Sequence, residues 1–374
     1  MRRLRILHRW LGLLLAAPVL VQGLTGAILA LAPSFAPSFA PSFSPATDPA
    51  TAPLSINRIV AAARAAAPEG MRPGRYAPPE GSTPATVTLV PRSGPQRGAG
   101  VALRIDPVTL AIVSTEPANA GPLGWLRRLH TNFLLEDWGG RQINGWIGLG
   151  LLAIAVLGVV LWWPGPGEWR AAFTVGPSAR GWRLQRRLHG AAGGWTALML
   201  LASAATGVAL AFPQTTRATL GVAPPSVPRI APPADPTAVA DLDQAASVAL
   251  DTTPGARLRG ILLPGRSTEA VRILLGPRDT AGTVSLVTVA VDPWAARVVQ
   301  LQSPTTQSAG ERVLRWTHDL HQAISLGPIW RAMTIAAGVA IPLFAATGCA
   351  MWLLRQRNRR RTAGARAAAL NSGA

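Results

Sequence analysis

Five histidines are the residues of this chain whose chemistry stands out: His8, His130, His189, His318 and His321. Each lies at or near one end of a long apolar run, where a neutral imidazole nitrogen is able to bind a transition metal. The apolar runs contain no aspartate or glutamate, and the single cysteine, Cys349, lies in the last of them. Carboxylate-rich di-iron sites and thiolate-bound zinc or iron–sulfur sites are therefore excluded within the runs. A lone boundary histidine is ordinarily just a polar residue in a polar zone, so the argument for ligation rests on duplication.

Glycines share the helix face of two of these histidines. Adding 181 to the residue number takes His8, Gly12 and Gly26 to His189, Gly193 and Gly207. On a helix of about 3.6 residues per turn, positions 4 and 18 after a histidine lie within about 40° of it. An imidazole beside bare backbone suits a broad, flat ligand, so we expect two haem b groups held by histidines and cradled by these four glycines. Helix packing explains the glycines of the other two runs equally well, namely Gly148, Gly158, Gly338 and Gly348.

Composition places the chain in a membrane. The 374 residues are 49% hydrophobic and carry a net charge of +19, and every basic residue other than histidine is an arginine. In a soluble protein such a charge would suggest nucleic acid, but here the arginines cluster at the ends of the apolar runs, at residues 2–9, 170–187 and 355–361. That is the positive-inside pattern, which predicts cytoplasmic termini and lipid, not nucleic acid, as the surroundings.

The chain divides into two halves of the same order. The first half has a membrane helix at 1–32, a proline-rich spacer at 33–53, a small α+β module at 54–118, an interfacial segment at 119–141, a second membrane helix at 142–163 and a cytoplasmic loop at 164–187. The second half has a helix at 188–213, a spacer at 214–235, a module at 236–303, an interfacial segment at 304–326, a helix at 327–354 and a cytoplasmic tail at 355–374.

Constant offsets relate the two halves. Adding 186 takes Asp106-Pro107 to Asp292-Pro293, and adding 190 takes Gly148, Gly158 and Trp162 to Gly338, Gly348 and Trp352. The predicted fold is therefore a bundle of four transmembrane helices made of two parallel repeats, each with an inserted extracytoplasmic α+β module. A two-fold axis along the membrane normal would bring His8 and His189 face to face at one end. At the other end it would bring together His130 and one of His318 and His321.

The chain contains no motif for a nucleotide. There is no G-x-G-x-x-G after a strand, no P-loop and no nucleophile elbow. No nucleotide-binding or hydrolase domain is therefore expected. Electrons would have to come from a quinol or from a cytoplasmic flavoprotein reductase.

Several motifs together resemble the family of PepSY-associated transmembrane proteins. They are LHRWLGL, LHTNFLL followed by GGR, GVVLWWP, LHQAISLG and GCAMWLLR, in an order that covers nearly the whole chain. The resemblance implies a bacterial inner-membrane protein whose PepSY-like modules are periplasmic, similar to haem-containing ferric-siderophore reductases. It also implies that His8, His130, His189 and His321 are the family histidines. His318 has no counterpart in the first half, which leaves the choice between His318 and His321 open.

Three hypotheses of function follow. The first is a haem b-containing protein that passes electrons across the inner membrane to a periplasmic acceptor, with a ferric chelate or siderophore as candidate substrate and iron acquisition as the process. On that hypothesis the chain is a candidate membrane-bound ferric-chelate reductase. The second is a non-redox module whose PepSY-like parts bind a peptide or regulate a protease. The third, an uptake permease, is disfavoured because permeases line a path with intramembrane polar groups, of which this chain has few.

Overall fold

A computed structural model describes residues 1–35, 55–80, 83–93, 100–233, 235, 238–277, 287–323 and 326–372. Its helices are α1 (Arg2–Phe35), α2 (Ile56–Ala65), α3 (Gly121–Asn132), α4 (Gly140–Trp162), α5 (Trp169–Ala172), α6 (Gly181–Ala211), α7 (Pro213–Thr219), α8 (Leu242–Asp251), α9 (Ala309–His321) and α10 (Gly327–Ser372). Its strands are β1 (Met71–Ala77), β2 (Ala85–Pro91), β3 (Val101–Ile105), β4 (Ile112–Pro117), β5 (Ala256–Leu262), β6 (Val271–Pro277), β7 (Val287–Asp292) and β8 (Arg297–Gln302). The predicted spacer at 33–53 lies, from residue 36 onward, outside the described residues.

Four helices of the described chain are long and apolar enough to cross a membrane: Arg2–Ala32, Gly140–Trp162, Gly181–Ala211 and Gly327–Gly364. In lipid the backbone must satisfy its own hydrogen bonds, and a continuous helix does so. All four helices run past a predicted boundary. The largest extensions are those of α6, which begins seven residues before position 188, and of α10, which continues through the predicted tail to Ser372. The short helix α7 occupies the start of the predicted second spacer. The chain is thus a multi-pass membrane protein.

The chain forms two compact units. The first comprises Met1–Ser34, Leu126–Thr216 and Arg315–Ala374, and holds the four spanning helices. Its core joins α1, α6 and α10 through Val19, Met199, Leu200, Ala337 and Ile341. Helices α1 and α10 cross at two glycines, because a Cβ added to Gly23 would lie 2.9 Å from the carbonyl oxygen of Gly338, and one added to Gly338 would lie 2.8 Å from that of Gly23. Gly338 therefore serves helix packing, one of the two roles expected for it.

The second unit comprises Phe35–Trp125 and Arg217–Leu314 and contains one eight-stranded antiparallel sheet. Its strand order is β4-β3-β2-β1-β5-β6-β7-β8, so the two predicted modules join through β1 and β5, where Arg75 faces Leu262 and Tyr76 faces Ile261. One face of the sheet is buried, as the alternating burial of β2 shows. Helices α2 and α8 supply the other side of that core, including Ile59 and Ala249. The sequence predicted two modules and did not predict their union.

Reciprocal capping ties the two halves of this unit together. Asp243 of α8 accepts hydrogen bonds from the Ser55 hydroxyl and from the backbone N–H groups of Ile56 (2.6 Å) and Asn57 (3.3 Å), at the start of α2. In return, the Asn57 side-chain oxygen accepts the N–H of Leu242 at 2.8 Å, at the start of α8. Each helix thus satisfies N-terminal donors of the other, which an isolated module would leave to water.

The two Asp-Pro motifs are turn formers. The Asp106 carboxylate accepts the N–H groups of Val108 and Thr109 at 2.7 and 3.1 Å, and the Asp292 carboxylate accepts those of Trp294 and Ala295 at 3.0 and 3.3 Å. Both carboxylates are buried. The motif therefore stabilises the hairpins β3–β4 and β7–β8 and has no need of a catalytic role.

Candidate functional site: two histidine pairs

His8 of α1 and His189 of α6 lie together in the helical unit and are called the first pair. Their ring centroids are 6.2 Å apart and their planes are nearly perpendicular, at 86°. The Nδ1 atom of His8 lies 3.2 Å from the carbonyl oxygen of Ile154 on α4. The Nδ1 atom of His189 lies 2.8 Å from the hydroxyl of Thr347 on α10. Each imidazole is thus anchored on a helix other than its own.

His130 of α3 and His321 of α9 form the second pair. Their ring centroids are 6.1 Å apart and their planes are inclined by 37°. The Nδ1 atom of His130 lies 2.9 Å from the Thr25 hydroxyl on α1, and that of His321 lies 3.1 Å from the Thr206 hydroxyl on α6. The Ser203 carbonyl oxygen also lies 3.1 Å from Nδ1 of His321.

Hydrogen bonds from the spanning helices α4 and α10 hold the short helices α3 and α9, which carry the second pair. The Asn144 side chain on α4 donates to the carbonyl oxygens of His130 and Thr131, at 2.9 and 3.2 Å. The Trp330 indole on α10 donates to the carbonyl oxygen of Leu320 at 3.1 Å. Because these bonds hold the C-terminal turns of α3 and α9, they hold the histidines that those turns carry.

Glycine lets each imidazole approach a helix backbone. A Cβ added to Gly26 or Gly207 would lie 3.1 or 3.0 Å from Cε1 of His130 or His321, closer than carbon atoms normally pack. A Cβ added to Gly158 or Gly348 would lie 3.4 or 4.0 Å from Cε1 of His8 or His189. Because glycine has no side chain, the imidazole can approach the helix backbone and the groups on the same helix turn as the glycine.

Four glycines were expected to cradle a cofactor; two of them lie beside an imidazole, and the cofactor role of all four stays a prediction. Gly26 and Gly207 face the second pair, on helices that carry the first pair. A Cβ added to Gly12 would have no neighbour within 4 Å, and one at Gly193 would meet only Phe344 at 4.0 Å, so their role as a shelf stays a prediction. The glycines that face the first pair are Gly158 and Gly348, for which helix packing and a cofactor role had been equally supported.

A repeated Thr-Gly dipeptide contacts three of the four paired histidines. Thr-Gly occurs at 25–26, 206–207 and 347–348, and in each case the threonine hydroxyl contacts a histidine Nδ1 while the next residue faces its Cε1. The fourth position of the pattern, offset by 190 from Thr347, is Leu157. There the His8 ring meets Gly158 and its Nδ1 finds the Ile154 carbonyl instead.

His318 lies apart from both pairs. Its side chain is 47% exposed, its Nδ1 lies 3.8 Å from the Asp319 carboxylate, and its Nε2 accepts a hydrogen bond from the Gln322 amide at 2.9 Å. His321, one helical turn later, is the residue that meets His130. The alternative that the sequence left open is therefore resolved in position: His318 is a surface residue.

Electrostatics keep the second pair neutral. Burial, reinforced by the neighbouring His321, lowers the pKa of His130 to about 4, and burial likewise lowers the pKa of His321. Both rings are therefore uncharged near neutral pH, the form in which an imidazole nitrogen binds a metal. In all four paired histidines Nδ1 contacts an acceptor, and within the described part of the chain no hydrogen bond involves Nε2.

The two pairs lie at opposite ends of the spanning helices. On α1, His8 of the first pair and Gly26, which faces the second, are 18 residues apart (26 − 8). On α6, His189 and Gly207 have the same separation (207 − 189). At a rise of about 1.5 Å per residue this is roughly 27 Å, close to the roughly 30 Å of a bilayer's hydrocarbon core.

The donor set and spacing fit one metal ion between each pair. With a metal–nitrogen bond of about 2.0–2.1 Å and about 1.1 Å from Nε2 to the ring centre, imidazoles on opposite sides of an ion have centroids roughly 6.3 Å apart, against roughly 5.1 Å at a tetrahedral angle. The observed 6.2 and 6.1 Å match the opposed arrangement. Among the described residues no three His, Cys, Asp or Glu side chains cluster, as a protein-ligated zinc would require. Two imidazoles at this spacing in an apolar bundle are a ligand set that fits haem iron.

The model of a family described as PepSY-associated TM region matches residues 5–355. The comparison with curated proteins gives no match.

Proposed function

The chain belongs to the family of PepSY-associated transmembrane proteins, and from this premise we propose that it is a di-haem b electron-transfer protein. In this proposal it passes electrons across the bacterial inner membrane to a periplasmic acceptor. A ferric siderophore or another ferric chelate is the substrate class that the sequence resemblance implies, and its reduction would serve iron acquisition.

The observation that carries the proposal is the pair of imidazoles at each end of the bundle. Each pair presents two Nε2 atoms with ring centroids about 6 Å apart, and the second pair is neutral by burial. A lone interfacial histidine needs no partner across the bundle. Two pairs of imidazoles, each held by contacts from other helices, are residues that would hold haem iron.

The residues of the chain have three tasks in this function. The four paired histidines would hold iron through Nε2, and the apolar helices would keep water from the site. The glycines at 26, 158, 207 and 348 let the rings lie against the helix backbone. Haem b, when bound, supplies reversible one-electron chemistry. Sites roughly 27 Å apart along the helices would let electrons enter near one face and leave near the other.

Orientation is part of the proposal. The arginine clusters favour cytoplasmic termini, with the first pair near the cytoplasm and the second pair near the periplasm. The two halves are proposed to be parallel repeats. A quinol or a cytoplasmic flavoprotein would then donate electrons to the first pair, and the acceptor would take them from the second.

Optical spectra and haem content test the proposal. Protein purified from haem-supplied cells should show a Soret band, dithionite-sensitive α and β bands, and two haems per chain. His8→Ala should cost one haem, His130→Ala the other, and the double variant both. His318→Ala is the matched control, because that histidine is exposed and outside both pairs, and it should keep both haems.

A colourless, iron-free preparation would overturn the proposal and leave the non-redox hypothesis, in which the sheet unit binds a peptide or regulates a protease. A His8→Ala protein that retains two low-spin haems would instead overturn the ligand assignment, since position 8 would then be an interfacial polar residue only.

A further inference from the structure

The hydroxyl protons of three threonines are committed to their own helices. Thr25 donates to the Val21 carbonyl, Thr206 to that of Ala202 and Thr347 to that of Leu343, each at 2.6 Å. A carbonyl oxygen has no proton to give, so each of these short contacts uses the single proton of the hydroxyl. The hydroxyl oxygen that remains can only accept.

That constraint decides the tautomer of the histidine opposite. The Nδ1 atoms of His130, His321 and His189 lie 2.9, 3.1 and 2.8 Å from these oxygens. Because the oxygens can only accept, each Nδ1 must carry the ring proton. A neutral imidazole has one ring proton, so Nε2 is left with its lone pair exposed.

We propose that Thr25, Thr206 and Thr347 are positioning residues that hold the ligand histidines in the Nδ1–H form and so present Nε2 to iron. His8 obtains the same tautomer from the Ile154 carbonyl, since a backbone oxygen also only accepts. The second pair therefore has a threonine acceptor on both sides and the first pair on one side only. The part of this inference that concerns iron rests on the proposed function. The part that concerns the histidine tautomer rests on the hydrogen bonds alone.

The acceptor acts on the metal through the ring. Hydrogen bonding at Nδ1–H fixes the ring and raises the basicity of Nε2, and loss of such a partner typically costs about 10- to 100-fold in metal affinity. A more basic ligand favours ferric over ferrous iron. Removing the acceptor should therefore raise the midpoint potential of that haem and leave the other haem unchanged.

Thr347 is the most informative position to change. Its hydroxyl is the acceptor at His189 Nδ1, whereas His321 has the Ser203 carbonyl as a second acceptor. Thr347→Val removes the hydroxyl and keeps the shape, and Thr347→Ser restores it. Thr334→Val is the matched control on α10, because the Thr334 hydroxyl bonds the Trp330 carbonyl at 2.9 Å in the same way and contacts no histidine.

Two measurements on these variants test the inference. The first is a redox titration of the purified protein, in which Thr347→Val should raise the potential of one haem. A tenfold shift in the ferric-to-ferrous preference would appear as about 59 mV. Thr347→Ser and Thr334→Val should both resemble the unchanged protein. A Thr347→Val protein whose two potentials match those of Thr334→Val would overturn the role.

The second measurement needs no haem. Nitrogen chemical shifts of histidine-labelled chain produced under haem depletion report the tautomer of each of the five imidazoles. His189 should be in the Nδ1–H form and should lose that preference in Thr347→Val. Finding His189 as Nε2–H in the unchanged chain would refute the inference, whereas protein that never binds haem but keeps the Nδ1–H form would refute only the proposed function.

Discussion

Alanine at Gly26 tests the packing of the second pair directly. The new Cβ would lie 3.1 Å from Cε1 of His130, whereas carbon atoms pack at about 3.5–4.0 Å, so the ring must move by roughly 0.4–0.9 Å. Overpacking of this kind costs about 1–3 kcal/mol. Replacing a helical glycine by alanine contributes about 0.5–1 kcal/mol in the opposite direction. The net expectation is a loss of stability of up to roughly 2.5 kcal/mol.

Gly364→Ala in α10 is the control, because Gly364 lies outside both histidine pairs and was not among the glycines expected to cradle haem. A Cβ there has no neighbour within 4 Å, so only the propensity gain applies. The propensity contribution is common to both variants, and the difference in unfolding free energy between them is therefore the overpacking cost alone, about 1–3 kcal/mol.

Denaturant unfolding of the detergent-solubilised protein measures that difference, and haem content measures its consequence at the site. Gly26→Ala should unfold earlier than Gly364→Ala and should lose the haem of the second pair, while Gly364→Ala keeps both. Equal stability and equal haem content in the two variants would show that His130 does not rest on Gly26.

Three further predictions concern orientation, the sheet and electron entry. Reporters fused after Leu110 and Ala295 should be active only if they function in the periplasm, and cytoplasmic activity at either position would contradict the proposed orientation. The only tyrosine of the chain, Tyr76, should titrate at a pKa of about 12, which burial and the Asp243 charge raise. Since this pKa lies above the unfolded value of about 10, the tyrosine stabilises the fold below pH 10 and that contribution is lost as pH rises toward 12. Absorbance titration at alkaline pH measures the pKa of Tyr76. Asp243→Asn should lower this pKa but keep it above 10, because burial is the larger cause. Ionisation of Tyr76 at the ordinary pKa would contradict its burial. Finally, the purified chain alone should not oxidise NADH or NADPH, whereas a quinol or a flavoprotein should reduce it; rapid reduction by NADPH without a partner would reveal a nucleotide site.

The spanning helices could be predicted because each needs a run of about 20 apolar residues, which the sequence displays openly. The approach of His8 to His189 could be predicted because a constant offset of 181 residues relates the two histidines, and the symmetry of the predicted helix bundle brings them together. The partner of His130 was harder, because His318 and His321 differ by less than one helical turn. The choice depends on the exposed face of α9, which a single sequence does not show.

The glycine contacts were harder to predict for a different reason. Sharing a helix face with a histidine suggested that Gly12 and Gly26 serve the histidine of their own helix, yet Gly26 meets His130 from α3. The union of the two modules through Tyr76 and Ile261 was also beyond prediction. Pairing between strands so distant in the chain depends on the placement of both modules, and local patterns specify only each module by itself.

The pairing of β1 with β5 has a consequence for biosynthesis. Tyr76 and Ile261 are 185 residues apart (261 − 76), and at about 5–20 residues per second the ribosome needs roughly 10–40 s to make the intervening chain. During that interval the newly made first half has an unpaired edge at β1, and α2 lacks the cap that Asp243 supplies. The second pair is also incomplete, because His130 waits for His321, which is made later still. The sheet and the second histidine pair therefore become complete only late in synthesis, and a nascent chain interrupted midway would be prone to pair its free strand with another copy.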